Sequence, residues 1–248
     1  MASAVGHALV TGASRGIGRA IAAELARRGW TLHLASRSAD ALEEVRRELP
    51  TGGASAGGTS AERSHRIHPV DLGDMEQVAA FAERLRAEVP RLGLLVLNAG
   101  AAISAPLEET SLAEWDRVFD LNVRSPFLLT RELLPALRAA TGRVIAIGSV
   151  VSTAAYPGQG AYTASKHALY GLTKVLAKEL HADGVIVQTV LPGGVATDMV
   201  RTMRPDIDST DLIQPQDVAA AVGSLLDMDG SALTDEIRLR RRGKSPWA

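Results

Sequence analysis

Tyr162 and Lys166 stand four residues apart in a segment with helical apolar spacing. Both side chains therefore fall on one face, about one turn apart. A free tyrosine phenol titrates near pH ~10, too high for easy proton exchange at neutral pH. A neighbouring ammonium favours the phenolate and lowers that value. Such a pair is suited to giving and taking the proton of a carbonyl–alcohol conversion. Ser149 precedes Tyr162 by thirteen residues and follows an apolar run of strand length. From a strand end its hydroxyl can enter the same crevice and hold a substrate oxygen; Ser152 competes for that role. Asn122 lies in the middle of a long apolar helical pattern. An amide there needs partners, so it marks either a helix kink or a deliberate polar element.

A second constellation, Thr11-Gly12-Ala13-Ser14-Arg15-Gly16-Ile17-Gly18, joins a strand to a helix. Gly12 permits a tight turn, Gly16 lets backbone approach a pyrophosphate, and Gly18 lets helix and strand pack closely. Free N–H groups at the helix start, in the turn that holds Ser14 and Ile17, face the anion with the helix dipole behind them. An NAD-binding unit places Asp or Glu about 20 residues further on. This chain has Ala35-Ser36-Arg37 there instead. Arg37 and Arg15 suit the 2′-phosphate of NADP, a charge-assisted and often bidentate contact; the plainer alternative is two surface arginines. Asp71-Leu72 and Asn98-Ala99-Gly100 end two further strands, where open α/β sheets bind ligands. Asp71 is suited to the adenine amino group or to capping a helix, and Asn98-Ala99-Gly100 to backbone approach to a ribose or to a plain turn.

These side chains need a frame that brings strand ends together. Apolar runs of strand length cover residues 7–11, 31–35, 66–70, 94–98, 143–147, 185–191 and 236–240. Helix-period segments lie between them at 16–28, 39–49, 75–89, 112–140, 162–182 and 215–227. The alternation predicts one α/β domain over residues 1–248: a Rossmann-like, doubly wound parallel sheet of about seven strands with helices on both faces. Residues 51–60, rich in Gly and Ser, read as a flexible loop, and 198–214 as a lid over the pocket. The basic run 238–244 reads as a solvated tail.

The 248 residues can bury roughly 70–75% of the surface an unfolded chain exposes. Aromatics are only 4%, so the core rests on Ala, Val, Leu and Ile, as a buried parallel sheet requires. A net charge of −1 gives no general reason to expect nucleic acid or an anionic membrane as partner. Cysteine is absent, which excludes thiolate chemistry and Cys-based zinc sites. No run is apolar for long enough to span a bilayer, and the first residues lack the basic start of a signal peptide. A cytoplasmic protein is the expectation.

Taken in order, Thr11–Gly18, Asp71, Asn98-Ala99-Gly100, Asn122, Ser149, Tyr162 with Lys166, and Pro192-Gly193-Gly194-Val195-Ala196-Thr197 make the sequence resemble the classical short-chain dehydrogenases/reductases over essentially its full length. The resemblance implies an NADP(H)-dependent oxidoreductase that needs no metal and acts on a small-molecule carbonyl or alcohol. By it, Tyr162 is the acid/base, Lys166 binds the nicotinamide ribose and lowers the Tyr162 pKa, Ser149 orients the carbonyl, and Asn122 holds a water in a proton relay. Pro192, Gly193, Val195 and Thr197 would line the nicotinamide. A homodimer through 112–140 and 162–182 is implied, whereas the ending 234–240 departs from the family pattern and leaves a homotetramer open. Gly148-Ser149-Val150-Val151 resembles acyl-carrier-protein reductases. The basic docking residues usual before the fifth strand are replaced here by Ala139-Ala140-Thr141, so a 3-oxoacyl thioester is the alternative substrate. A cofactor-binding sensor or scaffold would not need Ser149, Tyr162 and Lys166. An epimerase or dehydratase on the same fold would retain its nicotinamide.

Overall fold

The computed structural model describes residues 6–50, 64–203 and 208–245. Among them, seven parallel strands form one sheet in the order β3-β2-β1-β4-β5-β6-β7. The strands are β1 (His7–Thr11), β2 (Thr31–Ser36), β3 (Arg66–Pro69), β4 (Leu92–Leu97), β5 (Arg143–Ile147), β6 (Ile186–Pro192) and β7 (Glu236–Leu239). Successive residues point to opposite faces, and both faces are covered. Ala8, Val10, Leu32, Leu34, Leu94, Val96 and Ile145 face α1 (Gly16–Arg27), α2 (Ala39–Glu48) and a later helix over Pro215–Asp227. Leu9, Leu92, Leu95, Val144 and Ala146 face the opposite layer, which begins with α3 (Met75–Glu88). Residues 8–10, 92–97 and 144–147 therefore read as continuous apolar runs, as two-sided burial demands. The chain runs outward from β1 in one direction and then returns to its other side with β4. The carboxyl ends of these two strands face a crevice where the order reverses.

Residues 112–140 are not one helix. A helix α4 (Leu112–Phe119) is started by a capping box between Ser111 and Glu114. It passes into a π-helical turn over Asp120–Arg124 and then into α5 (Ser125–Ala140). A π-turn is a local insertion in the helical ladder, often found at functional sites, and Asn122 lies within it. α6 (Gly160–Glu179) starts two residues earlier and stops three earlier than 162–182. A short α7 (Asp198–Met203) and a single turn over Ser209–Asp211 occupy the described part of 198–214, and α8 (Pro215–Asp227) follows. Asp74, not Asp71, caps α3, accepting from the N–H groups of Glu76 and Gln77. The Gly/Ser segment 51–60 lies outside the described residues. The run 238–244 is not a solvated tail throughout: Arg238 and Leu239 belong to β7, and Arg241 is ion-paired with Asp211 at 2.7 Å.

Three histidines line up under α3 across neighbouring strands. His7 Nδ1 lies 3.0 Å from His33 Nε2, and His33 Nδ1 lies 3.0 Å from His68 Nε2. His68 packs on Phe81 of α3. His33 is fully buried, and burial, with His68, His7, Arg66 and His65 nearby, pushes its pKa down to about 3. Burial also lowers His7 and His68. An unfolded histidine titrates near ~6.5. Between there and about 3 the unfolded chain binds a proton at His33 that the folded chain refuses, so stability present above that window is lost as pH falls through it. From His33 alone, unfolding free energy should fall by about 1.4 kcal/mol per pH unit below ~6.5. Urea unfolding near pH ~7 and ~5 checks this: His33→Leu should flatten the pH dependence, and an unchanged slope would remove His33 as its cause.

Candidate active site

A cleft of about 1110 Å³ opens at the carboxyl ends of the strands. At one end is the glycine turn between β1 and α1. Gly12 and Gly16 adopt φ of 65° and 53°, the left-handed region that favours glycine. A Cβ on Gly12 would stand 2.9 Å from Asn98 Nδ2 and 3.0 Å from Ala99 Cα. Gly18 lies behind the turn and does not line the cleft. A Cβ there would meet the Gly12 carbonyl oxygen at 2.1 Å, so Gly18 is what lets α1 press against the turn. Asn98 ties β4 to that turn, donating from Nδ2 to the carbonyls of Thr11 (2.9 Å) and Gly12 (3.2 Å). Thr11 Oγ1 accepts from the N–H groups of Asn98 and Ala99.

Ser14, Arg15, Ile17, Ser36, Arg37, Asp71 and Leu72 all line the same end. Arg37 is exposed at the rim, and Arg15 is ion-paired with Asp198 at 3.3 Å. Beside Arg37, the buried Ser36 Oγ has no hydrogen-bond partner among the described residues. Asp71 Oδ1 accepts from Gly73 N–H at 2.9 Å, holding the loop after β3 against the cleft.

At the other end, Ser149, Tyr162 and Lys166 line the cleft together. Ser149 follows β5, and its Oγ accepts from Val151 N–H. Ser152 is not a wall residue. Its buried Oγ accepts from Ser149 N–H at 3.2 Å, so it orients the Ser149 backbone. Tyr162 and Lys166 lie one turn apart on α6, with the Lys166 ammonium 5.9 Å from the phenol ring centroid. The ammonium donates to the Ile147 carbonyl at 2.9 Å. Burial lowers the Lys166 pKa to about 8. Burial also raises the Tyr162 phenol, and its hydrogen bond with Ser149 offsets part of that rise. The direction is therefore opposite to the one expected from the ammonium alone: burial of the phenol dominates, and the ammonium is bound to a carbonyl.

Asn122 is fully buried and does not line the cleft. Its Oδ1 accepts from Ala101 N–H at 2.8 Å, and its Nδ2 donates to Ala101 O at 2.8 Å and to Ser165 Oγ at 2.9 Å. Ser165 Oγ in turn donates to the Tyr162 carbonyl. Kink and polar element are thus one feature: the π-turn aims the amide at the strand β4 exit and at α6. Gly100 fits between them, since a Cβ there would lie 3.2 Å from Asn122 Oδ1 and 3.7 Å from Lys166 Nζ.

Pro192, Gly193, Val195 and Thr197 close the cleft after β6. Thr197 caps the turn into α7, with its hydroxyl accepting from Val200 N–H at 3.4 Å. Sequence reading missed Ala113, Asp116 and Arg117 of α4 in the outer wall, whereas Met199 and Met203 of α7, in the same wall, fall within the segment 198–214. The signal was present in α4, where 113, 116 and 117 share one helix face.

A glycine cradle and a Ser–Tyr–Lys set at opposite ends of one cleft, at the strand-order reversal, define a nucleotide-dependent enzyme of the doubly wound class. Comparison with known proteins narrows this. The family model described as short chain dehydrogenase matches residues 6–208. The 3-oxoacyl-(acyl-carrier-protein) reductase FabG of Salmonella typhimurium is 34% identical over 238 residues, covering 92% of this chain and 93% of that protein. An alcohol dehydrogenase from the archaeon Thermococcus sibiricus, solved with 5-hydroxy-NADP, matches with a TM-score of 0.83 at 28% identity, covering 97% of this chain and 98% of that one. A metagenomic short-chain oxidoreductase solved with NADP gives 0.80 at 33% identity, covering 98% and 100%. The chain belongs to the short-chain dehydrogenase family and is an oxidoreductase of the carbonyl–alcohol pair. Among the described residues, no helix is long and apolar enough to cross a membrane.

Proposed function

We propose that this chain reduces a small-molecule carbonyl with NADPH, and catalyses the reverse oxidation, using Ser149, Tyr162, Lys166 and Asn122. The observation that carries the proposal is the single cleft joining the glycine turn and its two arginines to the Ser–Tyr–Lys end. The residues present fit NADP(H). The left-handed Gly12 and Gly16 form a tight turn that lines the cleft where a pyrophosphate would lie, and the Ser36 hydroxyl beside Arg37, unpartnered among the described residues, offers a donor for a phosphate oxygen. Gly12, Ser14, Arg15, Gly16 and Ile17 would hold the pyrophosphate end, with Gly18 behind them. Ser36 and Arg37 would hold the 2′-phosphate, Asp71, Leu72, Asn98, Ala99 and Gly100 the adenosine, and Pro192, Gly193, Val195 and Thr197 the nicotinamide. NADPH, when bound, supplies the reducing equivalent. Tyr162 delivers the proton to the carbonyl oxygen, and Ser149 donates a hydrogen bond to that oxygen as charge develops on it. Lys166, fixed by the Ile147 carbonyl, supplies the positive charge, and Asn122 holds the β4 exit and α6 in register.

The raised phenol keeps Tyr162 protonated at neutral pH, the form reduction needs. Lys166 loses its charge as pH rises through about 8. Reduction should therefore hold level at neutral pH and decline above about pH 8 as the Lys166 charge is lost, while oxidation, which needs the phenolate, should rise across neutral pH and level off above about 8. Opposed pH profiles of the two directions check this; parallel profiles would remove Tyr162 as the shared group.

The function is tested by following NADPH and NADH consumption against a panel of aldehydes and ketones. NADPH should be preferred. Arg37→Ala should weaken NADPH binding by about one to two decades, the loss of a charge-assisted bond of about 1.5–3 kcal/mol, with little effect on NADH. An equal loss for both cofactors would overturn the 2′-phosphate assignment, and absence of NADPH binding would overturn the function.

A 3-oxoacyl thioester is the second reading, favoured by the identity to FabG. Ala139-Ala140-Thr141 carry no basic side chain for a carrier, and Arg138 before them is paired with Asp183, so a free small carbonyl remains the main reading. Exposed Phe127 on α5 and Val175 on α6 support a homodimer through those helices, with a homotetramer as the larger alternative. A cytoplasmic setting, a single working domain and a lid over 198–214 complete the proposal.

A further inference from the structure

The basic segment after β7 is built into the molecule beside the site. Gly193 N–H donates to the Leu239 carbonyl at 2.8 Å. The Arg241 stem then runs over the two glycines that follow β6. A Cβ on Gly193 would lie 3.8 Å from Arg241 Cγ, and one on Gly194 3.7 Å from Arg241 Cδ. The Arg241 side chain is 14% exposed, and its Nη1 donates to Asp211 Oδ2 at 2.7 Å. Gly243 closes the other side of that carboxylate, where a Cβ would stand 2.5 Å from Asp211 Oδ1. Two residues beyond Asp211, Ile213 bridges Val195: Ile213 N–H donates to Gly194 O (3.0 Å), and Ala196 N–H donates to Ile213 O (2.8 Å).

These contacts form a closed circuit. Residues 193–196 are held on one side by Leu239 and on the other by Ile213, and the Arg241–Asp211 pair ties the two holders together. A surface ion pair is worth little by itself. This one is partly covered, and its partners sit on the two segments that fix the backbone of the cleft wall. Among the described residues, no hydrogen bond or ion pair joins this circuit to Ser149, Tyr162 or Lys166.

We infer that Arg241 is a positioning residue for the reaction: through Asp211 it holds residues 193–196 in the shape that orients the nicotinamide end of the cleft. The inference rests on the reading above that this segment lines the nicotinamide. Misplacement by about 1 Å can cost as much as about a hundredfold in rate. Affinity, by contrast, is set mainly at the distant phosphate end.

The test is a double-mutant cycle of Arg241→Met, which keeps the stem but removes the charge, with Asp211→Asn. Each variant and the pair are assayed for kcat and KM at saturating NADPH, for NADPH affinity, and for the fluorescence of bound NADPH, which reports the nicotinamide surroundings. Each single variant should lower kcat by about tenfold or more. Bound NADPH should shift its emission toward that of free NADPH, with affinity changing less than about threefold. The double variant should be no worse than the poorer single one, because both break one contact, and Arg241→Lys should recover most of the rate. Additive losses, an unmoved emission, or a lysine variant as poor as the methionine one would overturn the role. If the unaltered chain binds NADPH and reduces carbonyls while Arg241→Met matches it, only this inference fails. If the unaltered chain binds no NADPH, the functional reading fails and takes the inference with it.

Discussion

Tyr162→Phe should slow carbonyl reduction by about 10²–10⁴-fold, the contribution of a positioned general acid. The change removes one oxygen and leaves the ring. Lys166 keeps its bond to the Ile147 carbonyl, and Ser149 keeps its turn through Val151 N–H and Ser152. The cleft wall is therefore preserved, and NADPH affinity should stay within about threefold, because the lost group acts on the substrate oxygen in the transition state rather than on ground-state binding. Two measurements separate the effects: NADPH oxidation with the best carbonyl of the panel, and direct NADPH titration. A variant retaining more than about a tenth of the rate would mean that another group supplies the proton. A variant that also lost its NADPH would make Tyr162 a binding residue first.

Asn122→Ala should cost about 2–5 kcal/mol of stability. The amide satisfies the N–H and C=O of Ala101 and bonds Ser165 Oγ in a fully buried setting. Removing it orphans two backbone groups, at about 1–3 kcal/mol each. For a chain of this size, 1 kcal/mol corresponds to about 2–4 °C in Tm, so a fall of about 5–20 °C is expected. Activity should fall as well, because Gly100 and the Ser165–Tyr162 link lose their common support. Asn122→Asp keeps the acceptor for Ala101 N–H but loses the donor and buries a charge, so it should be no better. Urea unfolding decides the role. Full stability with a collapsed kcat would mean that Asn122 serves the proton path and not the scaffold.

The alternation of strand and helix was plain in the chain because both faces of the sheet are buried. Runs such as 92–97 and 144–147 are apolar throughout, and the helices between the strands carry a single apolar stripe. Element ends shifted by one to three residues, where capping and pairing, not hydrophobicity, decide. The cleft residues were readable because their types are constrained locally: glycine at positive φ, tyrosine and lysine one helical turn apart.

What could not be read depends on distance along the chain. The π-turn at Asp120–Arg124 follows no apolar rule, since its purpose is to reach Ala101 and Ser165. Asp71 and Asp74 are equally good caps by type, and only the geometry of the turn selects Asp74. The His7–His33–His68 row joins three strands, and the Arg241–Asp211 pair spans thirty positions. Neither has a local signature. The direction of the Tyr162 shift was not legible either, because burial of the phenol is a product of the whole fold and outweighs what a neighbouring charge suggests.

The strand order has a consequence for assembly. From β4 onward, each new strand adds beside the one made before it, so this half of the sheet can form in the order of synthesis. β7 is the final strand in that order, and it brings Leu239 and Arg241 to the backbone of Gly193 and Gly194. A nascent chain would own its glycine turn, its Ser149 and its Tyr162 long before the wall opposite them is braced. Premature termination between β6 and β7 would then yield a sheet with an unpaired edge at β6, the kind of edge that recruits other chains.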